Sequence, residues 1–150
     1  MKKIINRFLV ISLIPFILGC EKDDYYANNG EETIQSPNNL SKPEFAKDLT
    51  TTTTTDVTFR CRFANGGDTG ANMKCKVHWR KYTSKPSSSP KTSDMSNCET
   101  MRQISSTRTS TTFDRGHTGM NGGDYIYYYF ECSNSKYYSR SNLMYGIVKR

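Results

Sequence analysis

Three stretches of this chain alternate apolar and polar residues with a period of two, and that pattern constrains the fold more than anything else in it. Val57, Phe59, Cys61 and Phe63 alternate with Thr58, Arg60 and Arg62. Met73, Cys75, Val77 and Trp79 alternate with Lys74, Lys76, His78 and Arg80. Ile126, Tyr128, Phe130, Cys132 and Asn134 alternate with Tyr127, Tyr129, Glu131 and Ser133. Side chains of a strand point to opposite faces in turn, so each stretch presents one apolar face and one polar face, the mark of a half-buried antiparallel strand. Asn65-Gly66-Gly67-Asp68 separates the first two, and Asn121-Gly122-Gly123-Asp124 precedes the third. Asn-Gly and Gly-Gly accept positive φ, so both read as turns. Pro86 and Pro90, set among serines, break the chain after Tyr82. Asp94 to Arg102 reads as one or two helical turns with Met95, Cys98 and Met101 on one side. Ile104 to Phe113 reads as a Ser/Thr-rich strand, and Leu143 to Val148 as the last strand. Thr50 to Thr55 reads as a frayed first strand, since threonine suits an edge. Several short strands punctuated by turns predict an all-β antiparallel sandwich.

The amino terminus has a different character. Met1-Lys2-Lys3 and Arg7 are positive, Phe8 to Leu18 is apolar apart from Ser12 and Pro15, and Ile17-Leu18-Gly19-Cys20 closes the run. A bilayer needs roughly 20 apolar residues to be spanned by a helix, so this run is the size of a cleaved signal instead. A cysteine directly after a small residue at that point resembles a lipobox. The resemblance implies cleavage before Cys20 and acylation of Cys20, which would anchor the protein to membrane by its lipid. Glu21-Lys22-Asp23-Asp24 follows, and the Lys-Asp-Asp tract resembles the surface-export signal of Bacteroidota lipoproteins. That implies an outer-membrane protein exposed at the cell surface, the alternative being a periplasm-facing one.

Charge divides the rest. Residues 20–49 hold seven acids against three lysines, a net −4, while residues 50–150 hold fifteen Lys plus Arg against seven acids, a net +8. The acidic piece has few apolar residues, cannot bury enough surface to offset the entropy of ordering, and reads as a flexible stalk. The expected organisation is therefore a signal peptide at 1–19, a lipidated stalk at 20–49 and one sandwich at 50–150. Apart from Cys20 the chain has Cys61, Cys75, Cys98 and Cys132, an even set that in an exported domain points to two disulfides.

Tyr128-x-Phe130-x-Cys132-x-Asn134 resembles the Tyr-x-Val-x-Ala-x-Asn run in the penultimate strand of fibronectin type III domains. Met120-Asn121-Gly122-Gly123-Asp124-Tyr125 resembles the turn that leads into it. Trp79 departs from that family and lies closer to the immunoglobulin arrangement, in which a tryptophan sits on the third strand. The expected fold is thus immunoglobulin-like in the broad sense (fibronectin type III-like), with the subtype open. The resemblance implies a Cys61–Cys132 bridge between the sheets over Trp79, leaving Cys75 to pair with Cys98. Cys61–Cys75 with Cys98–Cys132 is the other pairing, and four buried thiols packing as small hydrophobes the third reading.

No catalytic constellation stands out. His78 lies among cations, His117 lies in Arg115-Gly116-His117-Thr118-Gly119, which reads as a loop, and nothing resembles a nucleophile elbow, a phosphate loop or a metal-binding pair. No enzyme activity, cofactor or metal is expected. Each Asn-Gly-Gly-Asp turn offers one carboxylate, whereas calcium takes six to eight oxygens. In an immunoglobulin-like sandwich the second and third alternating strands are neighbours. Lys74, Lys76, His78 and Arg80 would then lie beside Tyr127 and Tyr129 on one outward face. Cations interleaved with rings suit an anionic glycan or a protein partner; the bland alternative is a solvated face whose lysines discourage aggregation. Nucleic acid is not expected of a surface-tethered protein. The function expected is a lipid-anchored binding or adhesion module. The alternatives are an immunity or inhibitor lipoprotein that neutralises a toxin at the envelope, and a structural subunit of an envelope complex.

Overall fold

The computed structural model describes residues 39–150; the segment read as a signal, Cys20 and most of the segment read as a stalk lie outside the described residues. Among the described residues ten strands follow one another: β1 Glu44–Asp48, β2 Thr51–Thr52, β3 Asp56–Ala64, β4 Lys74–Tyr82, β5 Asn97–Thr100, β6 Arg102–Ser106, β7 Ser110–Thr118, β8 Tyr125–Ser133, β9 Tyr138–Arg140 and β10 Met144–Ile147. They form two antiparallel sheets. One runs β1-β3-β7-β6 with β2 also on β3, and the other runs β10-β8-β4-β5 with β9 also on β8. This is the immunoglobulin-like order, in which the four-stranded sheet of a constant-type domain faces a second sheet extended by one strand. Among the described residues no helix is long and apolar enough to cross a membrane.

The apolar phases of the alternating stretches meet between the sheets. Val57, Phe59, Cys61 and Phe63 of β3 and Phe113 of β7 pack against Cys75, Val77 and Trp79 of β4 and Ile126, Tyr128, Phe130 and Cys132 of β8, all buried. Phe59 touches both Trp79 and Tyr128, with ring centroids 5.7 and 5.3 Å away. Tyr128 buries its ring and donates its hydroxyl to the Asp48 carboxylate at 2.6 Å, which fixes β1 over the core. Burial, reinforced by that bond, pushes the Tyr128 phenol well above its ordinary range.

Four expectations change. The sandwich begins before residue 50: Pro43 is fully buried and β1 pairs with β3, so the end of the segment read as stalk is part of the domain. Phe45 supplies the reason, since its ring meets Phe63 at 5.4 Å and Phe130 at 6.2 Å. The strand expected at Ile104 to Phe113 is a hairpin, β6 and β7, because the Thr107 side chain accepts the amides of Thr109 and Ser110 and closes a turn. The helical turns expected at Asp94 to Arg102 reduce to a single 3-10 turn at Thr92–Asp94, after which β5 pairs with β4 through Asn97 to Thr100. His117 belongs to β7, not to a loop.

The disulfide pairing also differs. Cys75 bonds to Cys132, and Cys61 is a free, buried thiol. Both pairings read from the sequence are therefore overturned. Cys75 and Cys132 sit directly opposite each other on adjacent strands of one sheet, so they meet without crossing the core. Alternation reveals which face a cysteine occupies but not its register against a neighbour.

The Asn-Gly-Gly-Asp turns keep their carboxylates for themselves. Gly66 has φ of 64° and Gly123 of 95°, conformations suited to glycine. Asp68 accepts the backbone amide of Thr69 and the side chain of Asn72 through Oδ1, and the amide and hydroxyl of Ser135 through Oδ2. Asp124 accepts the amide of Asn121 and pairs with Lys81 at 3.7 Å. Asn134 completes the first cluster. Its Nδ2 donates to the carbonyls of Ser41 and Asn65, and its Oδ1 accepts from the amides of Lys136 and Tyr137. Truncation to alanine removes four hydrogen bonds to the backbone, so Asn134→Ala should cost about 2–3 kcal/mol. Urea unfolding measures it; a loss below about 0.5 kcal/mol would show that the cluster does not hold the loops.

Candidate functional site: the outward face of the β10-β8-β4-β5 sheet

β4 and β8 pair in full register, with Lys76 opposite Glu131, His78 opposite Tyr129 and Arg80 opposite Tyr127. Lys74, Lys76, His78, Arg80, Tyr127 and Tyr129 therefore share one face, as the alternation predicts. They do not play equal parts. His78 and Tyr129 stack flat, with centroids 4.6 Å apart and planes 1° from parallel. Tyr129 is only 6% exposed although it points away from the core. Arg140 lies 5.8 Å over its other side and pairs with Glu131 at 2.6 Å. The middle of the face is thus closed by the protein itself, and Cys98 of β5, with Sγ 3.8 Å from His78 Nε2, borders it.

The open part lies toward the end of β4. Arg80 is exposed, sits 5.2 Å from the Tyr82 ring centroid and donates to the Asp94 carbonyl at 3.2 Å. Tyr82 meets Tyr127 edge-on at 5.6 Å, and Tyr127 stacks on Tyr145 at 5.5 Å. Tyr145 is 62% exposed and Ile147, next but one along β10, is 47% exposed. A shallow cleft of about 370 Å³ opens beside these rings, lined by Lys85, Pro90, Tyr127, Met144 and Tyr145 among others. A row of three tyrosines flanked by Arg80 and Lys85 is amphipathic: the rings offer flat apolar surface, the hydroxyls and cations offer polar contacts. A larger cleft of about 830 Å³ lies at the other end of the sandwich, between the Gly66 turn and Thr107 to Thr109. It contains no aromatic ring among its walls, so the tyrosine end is the better candidate.

Tyr82, Tyr145, Lys85 and Pro90 are functional candidates that sequence reasoning missed. Tyr82 could have been found by carrying the polar phase of the second alternating stretch two residues further. Tyr145 could not, because its place opposite Tyr127 depends on the β10–β8 register.

A second polar cluster ties the open edge of the sandwich together. Glu99 of β5 accepts Trp79 Nε1 at 2.9 Å and Arg115 Nε at 2.5 Å, and lies 3.4 Å from His117 Nδ1. Arg115 and His117 come from β7, so this carboxylate bridges the two sheets. His117 also packs its ring 4.4 Å from Trp79. These contacts brace Trp79, and no local sequence signal reveals them because the partners come from three separate strands.

Three groups, His78, Glu99 and Asp68, are held below their ordinary values. Burial, aided by the Arg140 and Lys76 charges, outweighs Glu131 and lowers His78 below its ordinary 6.5. Burial raises Glu99, but the hydrogen bonds of Arg115 and Trp79 and the Arg115 and His117 charges outweigh it, and the net shift is downward. Asp68 is lowered likewise, with bonds from Ser135, Asn72 and Thr69 outweighing burial. A group held lower in the fold than in the unfolded chain stabilises above its unfolded value and stops doing so as pH falls. Thermal stability should therefore be flat from the ordinary histidine value up to the alkaline range, where Cys61, Tyr128 and Tyr129, all raised in the fold, begin to titrate in the unfolded chain. It should fall in a first step as His78 takes a proton and in a second as Glu99 and Asp68 do. His78→Gln should remove the first step alone. A melting temperature that rises on acidification from neutral pH would contradict this.

No protein-family model matches the chain, and no curated protein is significantly similar to it.

Proposed function

We propose that this chain is a lipid-anchored binding module of the bacterial cell surface, held through Cys20, that captures an anionic glycan on the tyrosine-bearing end of the β10-β8-β4-β5 sheet. The observation that carries the reading is the continuous Tyr82–Tyr127–Tyr145 row with Arg80 and Lys85 beside it. Sugar rings present flat apolar faces that pack on tyrosine, and a guanidinium matches the planar, two-oxygen geometry of a carboxylate or sulfate. The position of Tyr145, more than half exposed on an otherwise folded sheet, also favours a role outside the fold, since exposed aromatic patches mark interaction surfaces. The positive charge of residues 50–150, net +8, adds long-range attraction for a polyanion. The lipobox-like Leu18-Gly19-Cys20 run supports the anchor, and the Lys-Asp-Asp tract supports display outside the cell.

The test is a glycan array probed with the full chain. Uronate-bearing or sulfated chains should be retained and their neutral counterparts released, with retention lost as salt rises. Equal retention of neutral chains, or none of either, would refute the reading.

A further inference from the structure

We propose that Cys61, Cys75 and Cys132 form a disulfide-exchange site inside the core, in which Cys61 displaces Cys132 from Cys75 and turns a bond within one sheet into a bond between the two sheets.

The three sulfurs come from three strands. Cys75 of β4 and Cys132 of β8 face each other in one sheet and are bonded. Cys61 of β3 reaches from the opposite sheet, is fully buried and has no disulfide partner. Its Sγ lies 3.7 Å from the Cys75 Sγ, and all three sulfurs lie within 4.8 Å of one another. Exchange needs the three sulfurs in line, and these distances place Cys61 beside the Cys75–Cys132 bond, so the contact becomes an attacking arrangement once the side chains rotate. Because the sulfurs already touch, the change needs side-chain rotation and a small approach of the sheets, not a new register.

The step balances within the protein. The Cys61 thiolate attacks the Cys75 sulfur, a Cys61–Cys75 bond forms and the Cys75–Cys132 bond breaks. The leaving electron pair stays on Cys132, which takes up the proton that Cys61 gave away. No oxidant or reductant enters. The Cys75–Cys132 bond lies within one sheet, whereas the new bond staples β3 of one sheet to β4 of the other.

The surroundings set the rate. Asp48 of β1 is the register neighbour of Cys61 on one side, with the Tyr128 hydroxyl of β8 bonded to it. Phe113 of β7, which does not titrate, is the neighbour on the other. Burial and then the Asp48 charge push the Cys61 thiol up. The attacking thiolate is therefore scarce at neutral pH, and the exchange is slow until pH rises or the core opens.

The experiment uses the oxidised full chain, held folded without reductant at a series of pH values. It is then quenched in acid, thiol-labelled, digested with pepsin in acid and mapped by mass spectrometry. The label should move from the Cys61 peptide to the Cys132 peptide while a Cys61–Cys75 cross-linked peptide appears. The rate should rise about tenfold per pH unit, as the thiolate fraction does below its pKa. Cys61→Ala should show no such movement. Cys132→Ala, oxidised in air, should form the Cys61–Cys75 bond while keeping a β-sheet circular-dichroism spectrum. The proposal is overturned if Cys61 stays labelled and Cys75–Cys132 stays intact at every pH. It is equally overturned if label reaches Cys132 in Cys61→Ala.

Discussion

Phe59→Ala is expected to lower the free energy of unfolding by about 3–5 kcal/mol, the usual cost of emptying a buried aromatic site. Phe59 has no exposed surface. Its ring meets Trp79 and Tyr128, which belong to the opposite sheet, so truncation opens a void where the two sheets meet and not at one edge. The neighbours cannot collapse into the void easily. Trp79 is held by its bond to Glu99 and Tyr128 by its bond to Asp48. A loss of that size is a large share of the roughly 5–15 kcal/mol that stabilises a typical domain. Urea denaturation reads it as a fall in midpoint at unchanged slope. A loss under about 1 kcal/mol would show that β3 does not face β4 and β8 as described.

Arg80→Glu combined with Tyr127→Ala should weaken capture of an anionic glycan by about 100- to 1000-fold, the effect of losing two central contact residues. Arg80 is exposed, and Tyr127 is the ring shared by Tyr82 and Tyr145. The pair thus removes the charge and splits the row while leaving the core residues in place. Tyr129→Ala would be a poor test. Tyr129 is buried between His78 and Arg140, and its loss would disturb the sheet itself. Arg62→Glu, exposed on the opposite sheet, is the control and should leave capture nearly unchanged beyond a general charge effect. Isothermal titration with an uronate oligosaccharide separates the three. Equal weakening by Arg62→Glu and by the double variant would make binding a matter of net charge alone.

The sequence made the sandwich legible because period-two alternation reports directly which residues are inward. β3, β4 and β8 lie where Val57, Val77 and Phe130 placed them, and the β4–β8 face emerges from that pattern together with their adjacency. What alternation cannot report is register. Cys75 opposite Cys132, Tyr145 opposite Tyr127 and Glu99 beside Arg115 all depend on how far one strand slides past another, and no local signal fixes that. Thr107 escaped notice because a Ser/Thr-rich run reads as strand until one hydroxyl captures two amides and turns the chain. Phe45 escaped because it is a single aromatic residue in an acidic segment. His78 and Tyr129, legible as face residues, turned out to close the centre of that face by stacking on each other, which residue type alone does not foretell.

The most direct measurement of where ligand sits is the backbone and ring NMR spectrum of the labelled protein during titration with a sulfated or uronate oligosaccharide. Shifts should concentrate at Arg80, Tyr82, Lys85, Tyr127 and Tyr145, with Arg60, Arg62 and Thr112 on the far sheet unmoved. Shifts centred on that far sheet, or at the loops around Gly66 and Thr107, would contradict it.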